Sequence, residues 1–229
     1  MYGSEILVDA IIPAAGLATR MRGIPKFLLP CDEVYTSLIE RHLNHLLGKV
    51  DTIWIPTRPD LVMLLESLGI ARDKVVILPV ITENMSQTVA RVLQISSALH
   101  FNLFMPDTYF LGELPYETLN NEQDFANLAC WRIREEQKGK LGQVRINSLN
   151  MVTDIKDKVP DCDYEFSWGA VSFSKKLMKY INLTDPHIGY AVSAAVESGE
   201  KVGASIVDGE YFDCGTPVDY LKMLGRVLA

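Results

Sequence analysis

Ile11-Ile12-Pro13-Ala14-Ala15-Gly16-Leu17-Ala18-Thr19-Arg20-Met21-Arg22-Gly23-Ile24-Pro25-Lys26 is the stretch on which the reading of this chain turns. Upstream of it, Val8 to Ile12 is apolar except for Asp9 and reads as a short buried strand. The chain then runs into small residues whose backbone can approach a ligand closely, and Gly16 is able to take a positive φ there. Successive N–H groups in such a turn converge on an anion. Arg20 and Lys26 bring two cations to the same loop, one a planar fork suited to phosphate, the other a point charge. Read alone, Ala14-Ala15-Gly16 would be a surface turn and the two cations solvated. Taken together, the segment reads as a polyphosphate cradle. It is neither the Walker loop, with Lys-Ser/Thr directly after its last glycine, nor the dinucleotide Gly-x-Gly-x-x-Gly.

The 229 residues suffice for one large domain with a substantial core. At 48% hydrophobic and 22% charged, the composition is that of a globular chain. A formal charge of −7 supplies no basic stripe, so nucleic acid is not expected as a partner. An anionic nucleotide would have to be held by a local group of cations, which the opening loop offers. Cys31, Cys130, Cys162 and Cys214 are scattered without metal spacing and read as buried free thiols. No basic region with an apolar core and cleavage site is seen at the start, and no apolar run nears the ~18 residues of a membrane span. Neither a leader nor a membrane partner is expected, and a cytoplasmic location fits.

Strand and helix alternate after the loop. Leu38, Ile39, His42, Leu43, Leu46 and Leu47 fall at helical spacing behind Thr36 or Ser37 as cap. Ile53 to Ile55, Val75 to Leu78 and Phe101 to Met105 read as strands; Leu61 to Leu68 and Gln87 to Leu99 read as helices. Such alternation predicts parallel strands with helices on both faces. Short strand-like runs at 126–133, 142–146, 151–155 and 166–173 then predict an antiparallel section added to the parallel sheet. Helices are expected over 175–181, 190–198 and 218–227, with strands at 202–207 and 211–212. The four histidines are read as surface or capping residues. The fold class is Rossmann-like three-layer α/β/α with a mixed, mostly parallel sheet, in a single domain over 1–229.

Asp107, in Met105-Pro106-Asp107-Thr108, follows a strand's C-terminal end, where open α/β sheets bind ligands. Asp213 follows another. Each alone could be a turn residue, Asp213 by bonding locally with Thr216. Two carboxylates meeting near a polyphosphate loop would suit Mg²⁺, which takes one or two protein carboxylates and completes its shell with phosphate and water.

The opening loop, as Gly16-Leu17-Ala18-Thr19-Arg20-Met21 with Pro25-Lys26, resembles the signature of the sugar-phosphate nucleotidylyltransferases, Gly-x-Gly-Thr-Arg-(Met/Leu) followed by Pro-Lys. Ala18 replaces the second glycine, so the turn must tolerate a methyl group. Asp213-Cys214-Gly215-Thr216-Pro217-Val218-Asp219-Tyr220-Leu221 resembles the family's closing Asp-x-Gly-Thr-Pro-x-x-Tyr-Leu block. By these matches Asp107 and Asp213 would hold the catalytic Mg²⁺, Ala14, Ala15 and Gly16 would line the phosphates, and Arg20 and Lys26 would be catalytic. Looser matches place Asn84 and Gln87 at the base, Asn84 standing in for a glycine through its tolerance of left-handed geometry. Gly142 and Lys158 match the family's Gly-x-Val and Glu-Lys-Pro elements, which would put Lys158 on the acceptor phosphate; a solvated loop lysine is the alternative. Trp168 falls on a substrate-side strand, or in the core.

The resemblance runs from Ile11 to Leu221, with no C-terminal β-helix, and implies a catalytic core. It implies Mg²⁺-dependent transfer of NMP from an NTP to a sugar 1-phosphate or similar small phosphorylated acceptor, with release of pyrophosphate. Two rivals stand beside it. A glycosyltransferase of similar fold would normally carry Asp-x-Asp, which Asp107-Thr108-Tyr109 lacks. A silent nucleotide-binding regulator would have no need of the two carboxylates. The sequence names neither the base, the acceptor nor the oligomeric state, and leaves a homo-oligomer open.

Overall fold

The computed structural model describes residues 7–119 and 125–229. Residues 1–6, on which the expectation of no leader partly falls, lie outside that range.

Strands β1 (Val8–Ile11), β2 (Thr52–Thr57), β3 (Val75–Pro79) and β4 (His100–Phe104) run parallel in the order β4-β1-β2-β3. Beyond β4 the sheet turns mixed. Strand β9 (Phe166–Ser174) lies antiparallel between β4 and β6 (Ala126–Arg132), and β10 (Val202–Ile206) returns parallel to β6 at the edge. A hairpin of β7 (Gly142–Ile146) and β8 (Val152–Asp157) hangs from the β9 end. The expected Rossmann-like sheet with an antiparallel section is what the chain forms.

Side chains alternate across β1, and this splits the core into two layers. Ala10 and Ile12 pack with Ile39, Leu43 and Leu46 of helix α1 (Leu38–Leu46) and Leu65 of α2 (Val62–Ser67). Ile11 faces the other way, into Val89, Val92 and Leu93 of α3 (Met85–Ile95) and Ala191 and Val192 of α5 (Gly189–Glu197). Helices on both faces follow directly from that pleat.

Ser37 rather than Thr36 caps α1. Its hydroxyl accepts from Glu40 N at 3.3 Å while its own N–H donates to Glu40 Oε2 at 2.9 Å, a reciprocal capping box. His42 is not a surface residue: it is 1% exposed on the inner face of α1. Tyr116 Oη lies 2.8 Å from its Nδ1, and Tyr116 comes from the short helix α4 (Pro115–Thr118). Burial, with Arg41 beside it, drives the imidazole down to about 3, so it stays neutral.

Helix α3 stops at Ile95, four residues short of the expected Leu99. Ser96 takes an extended conformation, donates its hydroxyl to Asp9 Oδ2 at 2.6 Å and accepts from Ala98 N at 3.0 Å. The segment 175–181 is a 3₁₀ turn over Lys175–Tyr180 rather than an α-helix. Strand β5 (Thr108–Gly112) was not expected; it pairs antiparallel with β11 (Gly209–Asp213) in a separate two-stranded sheet. All four cysteines are buried and unpaired.

Candidate active site

A cavity of about 650 Å³ opens at the C-terminal ends of β1 to β4. That is the edge where parallel α/β sheets bind ligands, because the loops diverge there and leave a crevice. Its walls come from the 13–19 loop, Lys26, Arg58 to Asp60 after β2, Val80 to Met85 after β3, Met105 to Asp107 after β4, and Pro186-His187.

The loop is anchored at its start. Ala14 N donates to Pro56 O at 2.8 Å, and the buried Thr57 hydroxyl donates to Ala14 O at 3.1 Å. Beyond Ala14, the N–H groups of Ala15, Gly16, Leu17 and Ala18 donate to no partner among the described residues. Unpartnered backbone donors of this kind are what an anion nest requires. The left-handed residue is Ala18, with φ 50° and ψ 36°, and not Gly16, whose φ is not positive. Ala18 thus stands in the conformation where a glycine would be unstrained. Arg58 completes the loop: its Nη1 donates to Gly16 O at 3.1 Å, while Nε and Nη2 grip Asp60.

At the opposite wall Lys26 Nζ sits 3.0 Å from Asp107 Oδ2, with both side chains largely covered. Asp213 is drawn alongside by the β5–β11 ladder, in which it pairs with Thr108, and by Cys214 N donating to Asp107 O at 2.8 Å. Thr216 does not hold Asp213. It caps helix α6 (Pro217–Val227) and donates to Asp219 Oδ2 at 2.6 Å. Gly215 leaves room for the carboxylate, since a Cβ there would lie 2.9 Å from Asp213 Oδ1. Burial and the Asp107 charge push the Asp213 carboxyl up to about 6, while Lys26, Arg20 and Lys158 pull against them. Five charged groups from distant parts of the sequence therefore share one electrostatic neighbourhood.

This pair fits a divalent cation. Two neighbouring carboxylates, one of them raised in proton affinity by burial and then by the other's charge, gain from a cation between them, and phosphate oxygens can complete its shell. Among the described residues no cluster of three or more His, Cys, Asp or Glu could hold a metal unaided.

Other expected residues are placed differently. Arg20 is exposed in the Thr19–Met21 turn and does not line the cavity, although its charge lowers the proton affinity of Asp213. Asn84 lines the cavity, but with φ −151° it is extended, not left-handed. It is the cap of α3, accepting from Gln87 N at 2.9 Å, a role that demands extended backbone. Gln87 lies outside the cavity wall, its amide accepting from Glu83 N and donating to Leu183 O. Gly142 and Trp168 pack on each other: a Cβ at Gly142 would clash with the indole Nε1, and one at Gly189 would lie 3.1 Å from Trp168 Cζ2. Lys158 projects from a left-handed residue (φ 54°) after β8, its Nζ 3.0 Å from His187 Nε2.

Arg58 and His187 are among the cavity residues that sequence reading missed. Arg58 had a usable signal, for Arg58-Pro59-Asp60 follows a strand as Pro106-Asp107 does. His187 had none, because its partner Lys158 is 29 residues away.

No family model matches the chain, and no curated protein matches it by sequence. Solved structures do. A UDP-glucose pyrophosphorylase complexed with UDP-glucose superposes with a TM-score of 0.81 at 16% identity, covering 97% of this chain and 99% of that one. A UTP-bound UDP-glucose pyrophosphorylase from Acinetobacter baumannii gives 0.76 at 19% identity, over 96% and 93%. The inositol-1-phosphate CTP transferase from T. maritima gives 0.76 at 16%, over 96% of each chain. At these identities the likeness is one of architecture: the chain has the fold of the sugar-phosphate nucleotidylyltransferases along almost its whole length.

Proposed function

We propose that residues 1–229 form one catalytic domain that transfers a nucleoside monophosphate from an NTP to a sugar 1-phosphate or similar small phosphorylated acceptor, releasing pyrophosphate, with Mg²⁺ as cofactor. The observation that carries this reading is the meeting of Asp107, Asp213, Lys26, Arg20 and Lys158 in one neighbourhood beside a row of free backbone donors. A binding protein has use for the donors and cations. It has no use for two carboxylates set against one another.

In this reading Ala14, Ala15 and Gly16 present backbone to the NTP phosphates, and Asn84 flanks the base, with Gln87 behind the wall fixing Asn84 at the start of α3. Asp107 and Asp213 would hold Mg²⁺, whose charge offsets that of the phosphates during transfer. Lys26 leaves Asp107 for the α-phosphate, and Arg20 neutralises the charge that grows on the departing pyrophosphate. Lys158 receives the acceptor phosphate and aligns its oxygen with the α-phosphorus, so that catalysis is mainly positioning and charge stabilisation. Gly142 and Trp168 back the acceptor side. The test is pyrophosphate release from each of four NTPs against a panel of sugar 1-phosphates and other small phosphate monoesters. Release that requires both substrates and Mg²⁺ supports the assignment. Release of free NDP from a nucleotide-sugar instead would mark a glycosyltransferase, and binding without turnover a regulator.

A further inference from the structure

We propose that His187 and Lys158 together form a dianion subsite at the Pro186 end of the cavity, and that filling it is coupled to the uptake of one proton by His187. The inference rests on the reading that Lys158 faces an acceptor phosphate, and adds a partner and a linkage to it.

Three observations on one nitrogen carry it. His187 lines the cavity. Its Nε2 lies 3.0 Å from Lys158 Nζ and 3.6 Å from Asp157 Oδ2. An ammonium has hydrogens to give and no lone pair, so Nε2 accepts, and the imidazole is neutral with its proton on Nδ1. Nε2 therefore has two mutually exclusive states. Deprotonated, it takes a hydrogen from Lys158; protonated, it repels Lys158 and donates to Asp157 or to an anion.

The groups facing the imidazole set which state is held. Asp157, at the end of β8, favours the charged form; Lys158, the next residue, opposes it, and burial opposes it more strongly, so proton affinity is lowered in the free protein. Glu83, across the same cavity, is a further acidic neighbour. A dianion arriving at Lys158 reverses the balance, because it draws the ammonium off Nε2 and adds negative charge beside the ring. The proton comes from solvent, no covalent bond changes, and the site gains a second charge-assisted donor.

The probe is sulfate, a dianion with no titration of its own in the relevant range, followed by glucose 1-phosphate. Calorimetry on the full chain across pH 6 to 8 should show sulfate binding weakening as pH rises, by up to about tenfold per unit. The binding enthalpy should depend on the buffer's ionisation enthalpy in the sense of proton uptake. Asp213 also titrates nearby, so the same series is run on His187→Asn, in which the buffer dependence should collapse. Histidine ring NMR on the wild type, independent of that variant's folding, should show the His187 signal titrating at higher pH when sulfate is bound. Lys158→Gln should remove that response. A saturating anion that leaves the His187 signal unmoved, a buffer-independent enthalpy, or an adventitious ion only, seated elsewhere, overturns the subsite. Should the signal respond while no NTP and acceptor pair releases pyrophosphate, the subsite stands and the enzymatic reading falls. Turnover with a silent His187 would overturn the subsite and leave the enzymatic reading in place.

Discussion

Lys26 Nζ and Asp107 Oδ2 lie 3.0 Å apart, so the cation of the phosphate loop is already bound by the carboxylate proposed to meet the metal. In the proposed reading the pair would have to part when both ligands bind: Asp107 would exchange the ammonium for Mg²⁺, and the NTP phosphates would receive Lys26 in turn. Binding of either ligand alone leaves one charge of the pair without a partner, a cost that a joint arrival avoids. NTP and Mg²⁺ are therefore expected to bind cooperatively. Asp107→Asn and Asp213→Asn should each abolish Mg²⁺-dependent turnover while retaining the fold. Calorimetry of NTP with and without Mg²⁺ on wild type and both variants is the check. Equal affinities in all six titrations, with activity that survives chelation, would remove the two-carboxylate site.

Arg20 is exposed, yet its charge is felt at Asp213. If Arg20 neutralises the departing pyrophosphate, as proposed, it acts on charge that grows in the transition state more than on ground-state binding. Arg20→Ala is expected to lower kcat by about 10²–10³, as loss of one stabilising donor commonly does, with a smaller change in KM for the NTP. Steady-state kinetics decide the matter, and near-normal turnover would mean that the loop's cation has another purpose.

The parts of the fold set by local rules were legible before the structure. Alternating strand and helix, an α1 cap at Thr36 or Ser37 and the strand-end aspartates all follow from short-range patterns. Several of the misplaced features share a cause, which is a partner distant in the chain. Helix α3 ends early because Ser96 turns to Asp9, 87 residues before it. Strand β5 went unseen because its only ladder is with β11, about a hundred residues on. Gln87 offered an amide for a base edge, but Leu183 claims one of its hydrogens. His42 is the exception. Its place among Leu38, Ile39, Leu43 and Leu46 already put it on the buried stripe, and only its residue type argued for the surface.

Ala18 carries a cost that the loop imposes. A non-glycine residue in left-handed geometry is disfavoured by about 1–2 kcal/mol, and replacing it with glycine returns part of that to the unfolded chain as entropy. Ala18→Gly is expected to raise stability by up to ~1 kcal/mol, a gain of about 2–4 °C in Tm for a chain of this size. Ala18→Val should do the reverse, and more strongly. Thermal unfolding by circular dichroism checks both, and a Tm lowered by the glycine would show that the turn is not strained.

Two buried groups shape the acid response in opposite directions. His42 is held down at about 3, below an unfolded value of 6.5. The unfolded chain then binds the extra proton, so this contribution to stability is present above pH 6.5 and is lost as pH falls towards 3. By pH 5 the loss amounts to about 2 kcal/mol. Asp213 is raised to about 6 from 3.8, so there the folded chain binds the extra proton. Its contribution grows as pH falls from 6 towards 3.8 and is worth about 1 kcal/mol at pH 5. Asp213 thus offsets about half of the His42 loss, and the wild type should lose only about 1 kcal/mol between pH 7 and 5 from this pair in the absence of metal. Asp213→Asn removes the compensating group, together with a carboxylate that is costly to bury at neutral pH. That variant should be more stable than wild type at pH 7 and should then fall more steeply with acid, as His42 acts unopposed. Urea unfolding at pH 7, 6 and 5 in the presence of chelator measures both slopes, and parallel curves for the two proteins would refute the opposition between them.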